Sequence, residues 1–148
     1  MVNRYTDSYQ INYKVKTDHY FIGMIVTTIG EYEKCSKAIN LMKVNGFDQL
    51  PVVSTDTKIL HGMVTVDQIM AKIHAGVADL DSPVSKVLLN KYPRVKLQDQ
   101  LGSLIKLLRS NPYAAIVDPI GNNEVRIVGI ITHIDILDYM SKIDIMQQ

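Results

Sequence analysis

The chain has 148 residues, 47% of them hydrophobic and 21% charged, enough to build one compact domain or two small halves and too apolar for general disorder. Sixteen basic residues against fifteen acidic ones leave a net charge of +1, without the concentrated positive charge that nucleic acid or an anionic membrane favours. The single cysteine, Cys35, cannot form an internal disulfide, no signal sequence opens the chain, and the longest apolar run falls short of the roughly 20 residues of a membrane span, so a soluble, cytoplasmic protein is expected.

Residues 1–19 are polar and dotted with Tyr5, Tyr9 and Tyr13, and read as a linker or N-terminal arm. The β-branched stretch 21–28 predicts a strand. A helix is predicted over 31–45, with Tyr32, Cys35, Ala38, Ile39 and Met42 on one face and a stop at Asn45-Gly46. Residues 50–53 form a short buried strand, which Pro51 confines to a strand start or an edge. A turn over 54–58, a strand over 59–65 and a helix over 66–75 follow. In the connector, Asp81-Ser82-Pro83 reads as a helix start before 84–89.

The same order then returns. A strand is predicted over 95–97 and a helix over 101–110, with Leu101, Leu104, Ile105 and Leu108 inward and Asn111-Pro112 as its break. Residues 113–117 and 125–131 read as strands around a turn at 118–123, and 134–141 as the closing helix. One phrase is written twice, Gly62-Met-Val-Thr65 and Gly129-Ile-Ile-Thr132, each leading into an apolar helix. Aligning the two glycines, and Ala38 with Leu104, gives a period of roughly 66 residues, the mark of an internally duplicated domain. The expected organisation is an arm at 1–19, a first repeat at 20–78, a connector at 79–92, a second repeat at 93–143 and a tail at 144–148. The expected fold is α/β: two pseudo-symmetric strand-helix-strand-strand-helix repeats packed through their sheets, with related clefts between them.

Pro51-Val-Val53, Gly62–Thr65, Ala115-Ile-Val117 and Gly129–Asp135 together resemble the paired cystathionine-β-synthase (CBS) domain, or Bateman module, over about residues 20–143. Gly46-Phe-Asp-Gln-Leu-Pro-Val-Val53, His61–Thr65 and Leu97-x-Asp99-x-Leu101-Gly102 are similar to the C-terminal regulatory module of cystathionine β-synthases in particular. That resemblance implies a sensor without catalytic residues, regulating the catalytic domain of a pyridoxal-phosphate-dependent parent. The implied ligands are adenosyl compounds: AMP, ADP or ATP in many members, S-adenosylmethionine in the animal synthase. It also implies a homodimer through the modules and no covalently bound cofactor.

Within that family Thr132 and Asp135 would hold the ribose. A ribose offers two adjacent hydroxyls, and an ionised carboxylate accepts strong hydrogen bonds from both. Ile130 and Ile134 would supply apolar surface for the base, Phe47 would lie beside the adenine, and Asp48, Gln49 and Leu50 would surround the amino-acid tail. Val26 and Thr27 would offer backbone groups to the adenine edge. The bland alternative is that Thr132 only caps the last helix, since Thr-x-x-Asp is also a capping pattern. In the first copy the matching position is Gln68, and Asp67 is rotated away by about 100° on a helix, so a single site is expected, with Pro112 and Tyr113 obstructing the other. Asp48 and Gln49 stand where nucleotide-binding relatives often carry a basic residue, which favours S-adenosylmethionine, a sulfonium cation, over ATP. An AMP/ATP energy sensor and a ligand-blind oligomerisation module remain the alternatives.

The other residues read as structural. Cys35 is expected in the core, as are Met24, Met42, Met63, Met70 and Met140. His19, His61, His74 and His133 show no metal-ligand spacing, and His133, which lies inside the turn, is expected to face solvent, with a place on the pocket rim as the alternative. Lys91, Arg94 and Lys96 form a mildly basic, solvated run. No phosphate loop, nucleophile elbow or metal cluster is present in the sequence.

Overall fold

The computed structural model of the protein describes residues 2–3, 8–17, 20–96 and 98–147. Tyr5, His19, Leu97 and the side chain of Met24 lie outside what is described, as do parts of the expected arm and tail. The chain divides into two compact units, Met1–Gln10 with Thr27–Tyr92 and Ile11–Val26 with Pro93–Gln148.

In the first unit, β1 (Val2–Asn3) pairs antiparallel with the start of β2 (Ser8–Thr17), Val2 opposite Tyr9. The end of β3 (Tyr20–Gly30) runs parallel to β4 (Gln49–Val53), and β4 is antiparallel to β5 (Leu60–Thr65). Parallel neighbours need a crossover, supplied by α1 (Cys35–Asn45); α2 (Val66–His74) follows β5. Cys35, Ala38, Leu41 and Met42 of α1 and Ile69 of α2 pack on Ile29, Leu50, Val52 and Val64 of the strands. Each leucine, isoleucine, valine or methionine among them contributes about 1.5–3 kcal/mol when fully buried.

Four expectations fail here. The helix begins at Cys35 and not at Glu31, and Tyr32, placed on its apolar face from the sequence, is 75% exposed. The reason lies in the connector, whose Ser82 and Leu80 carbonyls accept the N–H groups of Cys35 (2.8 Å) and Ser36 (3.0 Å). Those first N–H groups have no partner inside a helix, and the capping residue Lys34 has no side-chain acceptor to offer. Asp81-Ser82-Pro83 therefore caps α1 instead of opening a helix of its own; only a 3-10 turn, Val84–Lys86, follows it. Pro51 sits within β4, which has β3 on one side and β5 on the other, and so is neither at a strand start nor at an edge. The register explains how: pairing with β3 is formed at Ile29–Val52 and Gly30–Val53, one residue past the proline, where no N–H is asked of it.

The connector is built into this unit. Val84 and Val87 are fully buried in its core, and Leu89 exchanges two backbone hydrogen bonds with Met63 of β5, at 3.0 and 2.7 Å. Gly62 is what lets the two backbones meet. A Cβ at that position would stand 2.3 Å from the Leu89 carbonyl oxygen and 2.7 Å from Leu88 Cδ1. On the far side of β5, His61 Nε2 lies 2.8 Å from Glu31 Oε2, in the turn that leads to α1.

The second unit repeats the plan. Strand β6 (Arg94–Lys96) is parallel to β7 (Tyr113–Gly121), which is antiparallel to β8 (Glu124–Thr132), and α3 (Leu101–Leu108) and α4 (His133–Gln147) take the places of α1 and α2. Its core joins Leu104 and Leu108 to Ala114, Ile116, Val128, Ile131 and Ile136, with Leu101 and Ile105 partly buried beside it. The turn expected over 118–123 is shorter than predicted. Both strands run on, and Asn122 and Asn123, with φ of 51° and 59°, close a two-residue hairpin. Two successive positive φ values match the strand twist, and asparagine tolerates them. Helix α4 likewise runs past the expected end at residue 141. Of the methionines, Met42 and Met63 are buried as expected, whereas Met70 and Met140 are 63% and 40% exposed, so the periodicity that placed them inside was misleading.

Two measurements follow from this packing. Gly62→Ala forces a backbone clash that no side-chain rotation relieves, and should lower the unfolding free energy by about 1–3 kcal/mol in urea titration. An unchanged midpoint would mean that the connector does not hold to β5 as described. Cys35 has no exposed surface, and burial, with a smaller effect from the Asp79 charge, pushes its thiol pKa up. The thiol form is then favoured in the folded state, so this stability is complete below the ordinary thiol range and is lost as pH rises from there through the raised folded value. Cys35→Ala should flatten the alkaline fall in stability, and native Cys35 should react with iodoacetamide only as fast as the protein unfolds. Rapid labelling of the folded protein would contradict the burial.

Candidate functional site

The second copy of the repeated phrase ends β8 and starts α4. Ile131 faces the helix-packed core, so by strand alternation Ile130 and Thr132 share the opposite face of the sheet. Their cross-strand neighbours there are Ala115 and Tyr113. Tyr113 is thus beside Thr132 within its own unit, a placement that strand alternation alone did not reveal.

Asp135 reaches back over the turn. Its Oδ2 accepts the backbone N–H of Thr132 at 2.8 Å and the Thr132 hydroxyl at 3.1 Å. Capping and ligand binding were set against each other in the sequence, yet this geometry leaves room for both. A carboxylate has about four lone-pair positions, and the cap occupies two of them. Asp135 remains exposed to solvent while held in place, which is what binding a pair of hydroxyls requires. Ile134, one residue before it, is 73% exposed, and Ile130 is half-buried.

The first copy does the opposite at the same turn. Thr65 caps α2 by accepting the Gln68 N–H on its own hydroxyl at 3.1 Å. No acid returns to that threonine, since Asp67 is exposed at a different angle of the helix. The two halves of a capping box are thereby split between the two copies.

The remaining expected residues are placed as follows. In the first unit, Phe47 is 36% exposed after α1, Asp48 is exposed and its carbonyl accepts the Val66 N–H at 3.1 Å, and Gln49 is half-buried opposite Thr65. Leu50 is wholly buried among Val52 and Val64, which leaves only its backbone to any ligand. Thr27 is buried on β3, as is Val26, which falls in the second unit. The sequence passed over Thr28, whose Oγ1 is buried without a hydrogen-bond partner among the described residues. The sequence places His133 inside the turn without revealing its partner. The residue is exposed, as expected, but its Nε2 is hydrogen-bonded to the carbonyl of Leu108, the last residue of α3. Among the described residues no cluster of His, Cys, Asp and Glu could hold a metal ion, and no helix is long and apolar enough to cross a membrane.

Comparison with known proteins gives these features a family. The model of the CBS domain matches residues 21–75. Cystathionine beta-synthase of Dictyostelium discoideum is 33% identical over 120 residues, covering 78% of this chain and 23% of that protein. The chain spans about a fifth of the length of the curated relatives it matches, 21% and 23% for the first two. Among solved structures, a CBS domain protein from Streptococcus pneumoniae TIGR4 superposes with a TM-score of 0.65 at 19% identity, over 80% of each chain. CbpB in complex with c-di-AMP does so with a TM-score of 0.65 at 20% identity, over 79% of this chain and 77% of that one. With its fold repeated in both units and these similarities across most of its length, the chain belongs to the CBS-domain family.

Proposed function

We propose that this chain is a non-catalytic regulatory module that binds an adenosyl ligand, S-adenosylmethionine, and through it controls the activity or assembly of a cystathionine β-synthase. The observation that carries this reading is the exposed Asp135 carboxylate, pinned by Thr132 at the head of α4 with acceptor capacity to spare. A ribose diol fits that capacity. CbpB, of similar fold, is known in complex with c-di-AMP, an adenosyl compound, and curated relatives over this region are cystathionine beta-synthases. The stretch from Gly46 to Pro51 contains Asp48 and no lysine or arginine, which suits a sulfonium cation better than a polyphosphate. Control of a catalytic domain then needs the ligand to prefer one arrangement of the module over another, since equal affinity for both shifts nothing.

One observation favours self-association as part of the same function. On α4, Ile134, Leu137 and Met140 are exposed by 73%, 61% and 40% at successive spacings of three, an apolar stripe that a second copy of the chain would cover.

S-adenosylmethionine should raise the melting temperature in proportion to the stabilisation of bound protein, about 2.7 kcal/mol at a hundred times Kd. Asp135→Ala should abolish that rise, measured against the variant's own ligand-free baseline because the lost cap costs roughly 0.5–2 kcal/mol by itself. AMP as competitor tests the energy-sensor reading: displacement of S-adenosylmethionine by AMP at lower concentration would reverse the preference. No shift with any adenosyl compound, combined with ligand-independent dimers that Leu137→Glu dissociates, would leave only the oligomerisation module.

A further inference from the structure

The two copies end their crossover helices alike up to one residue and then diverge. Asn45 Nδ2 donates to the Leu41 carbonyl at 2.8 Å, and Asn111 Nδ2 donates to the Leu107 carbonyl at 3.0 Å. The next carbonyl in the first copy, that of Met42, accepts the N–H groups of Gly46, in a left-handed conformation at φ 71°, and of Phe47, at 2.9 Å. In the second copy Asn111 is followed by Pro112, and β7 begins at once. Proline has no N–H to give, so the stretch that supplies two donors in the first copy is cut to a residue with none.

The carbonyl of Leu108, the counterpart of Met42, accepts instead from the imidazole of His133. A carbonyl only accepts, so Nε2 carries the proton and the tautomer is set by the bond. His133 is the first residue of α4; the first residue of α2 is Val66, an apolar side chain packed on the first unit's core. One exchange answers the other: Gly46 and Val66 in one copy, Pro112 and His133 in the other.

We infer that His133 is a positioning residue for the Thr132–Asp135 turn. Its backbone lies between the two, and its ring ties the first turn of α4 to the end of α3. Free rotation at residue 133 would swing Asp135 away from the Thr132 N–H, so the tie fixes the direction in which the carboxylate faces outward. The link to ligand binding rests on the reading of Asp135 given above, while the geometric role stands without it.

Amide hydrogen exchange and calorimetry with S-adenosylmethionine test both parts on the full chain. His133→Ala should speed exchange of the Thr132 amide, which donates to Asp135, by about tenfold while Leu104 and Ile131 keep their protection. The same variant should bind S-adenosylmethionine roughly five- to tenfold more weakly. His133→Gln places an amide donor near the position of Nε2 and should restore both within about twofold. Pro112→Gly in the alanine variant should leave Thr132 exchange fast, because a returned backbone N–H satisfies the Leu108 carbonyl without tying α4 to α3; restored protection would overturn the tie. The inference is overturned by unchanged Thr132 exchange in His133→Ala, or by a uniform loss of protection across the unit that glutamine does not reverse. Should Thr132 respond as stated while the wild-type protein takes no S-adenosylmethionine, the positioning role stands and the ligand reading falls.

Discussion

Helix ends leave backbone groups that must find partners outside the helix, and that constraint shapes this molecule more than any other. Each helix here is short, so its orphan N–H and C=O groups are a large share of its backbone. Helix α1 takes carbonyls from the connector at its start and a glycine turn with an asparagine side chain at its end. Helix α3 keeps the asparagine but not the glycine, and borrows a histidine from the next helix. Helix α2 is capped by a threonine hydroxyl, and at the head of α4 an aspartate binds back to the same kind of threonine. The functional asymmetry between the copies is thus first a difference in how two equivalent turns are satisfied.

Seen this way, a capping role and a binding role for Asp135 support each other. An exposed carboxylate on a free side chain loses rotamer freedom when a ligand fixes it. One already held by a backbone N–H and a hydroxyl has lost that freedom on folding, and its remaining lone pairs meet a ligand in place. An ionised carboxylate preorganised in this way occurs only in the second copy, because the matching Gln68 carries a neutral amide with a single acceptor oxygen.

The connector shows the same economy in the first unit. Its valines complete the core, its carbonyls cap α1, and its last leucine lengthens the sheet through Met63. The last of these depends on the missing side chain of Gly62, which lets Leu89 come within hydrogen-bonding distance of β5. A glycine that looked like part of a repeated signature therefore has a local steric cause.

Duplication, the order of strands and helices from β3 onward, and the Thr132–Asp135 pair were legible in the sequence, because they rest on local periodicity and short spacings that the chain carries in itself; β1 and β2, in a stretch read as a linker or arm, were not. What periodicity could not tell was which side of a helix turn finds a partner: Tyr32, Met70 and Met140 fit an apolar face on paper and lie exposed. Nor could it foresee that Ser82, Leu80 and Leu89 serve α1 and β5, or that His133 answers Pro112 across the intervening strands. Those contacts join residues far apart in sequence, and their worth comes from pairing backbone groups that only the folded chain brings together. The sequence determined the repeated unit and the residues at its critical turn; the tertiary structure decided how each turn is closed, and so which carboxylate faces outward with capacity left to bind.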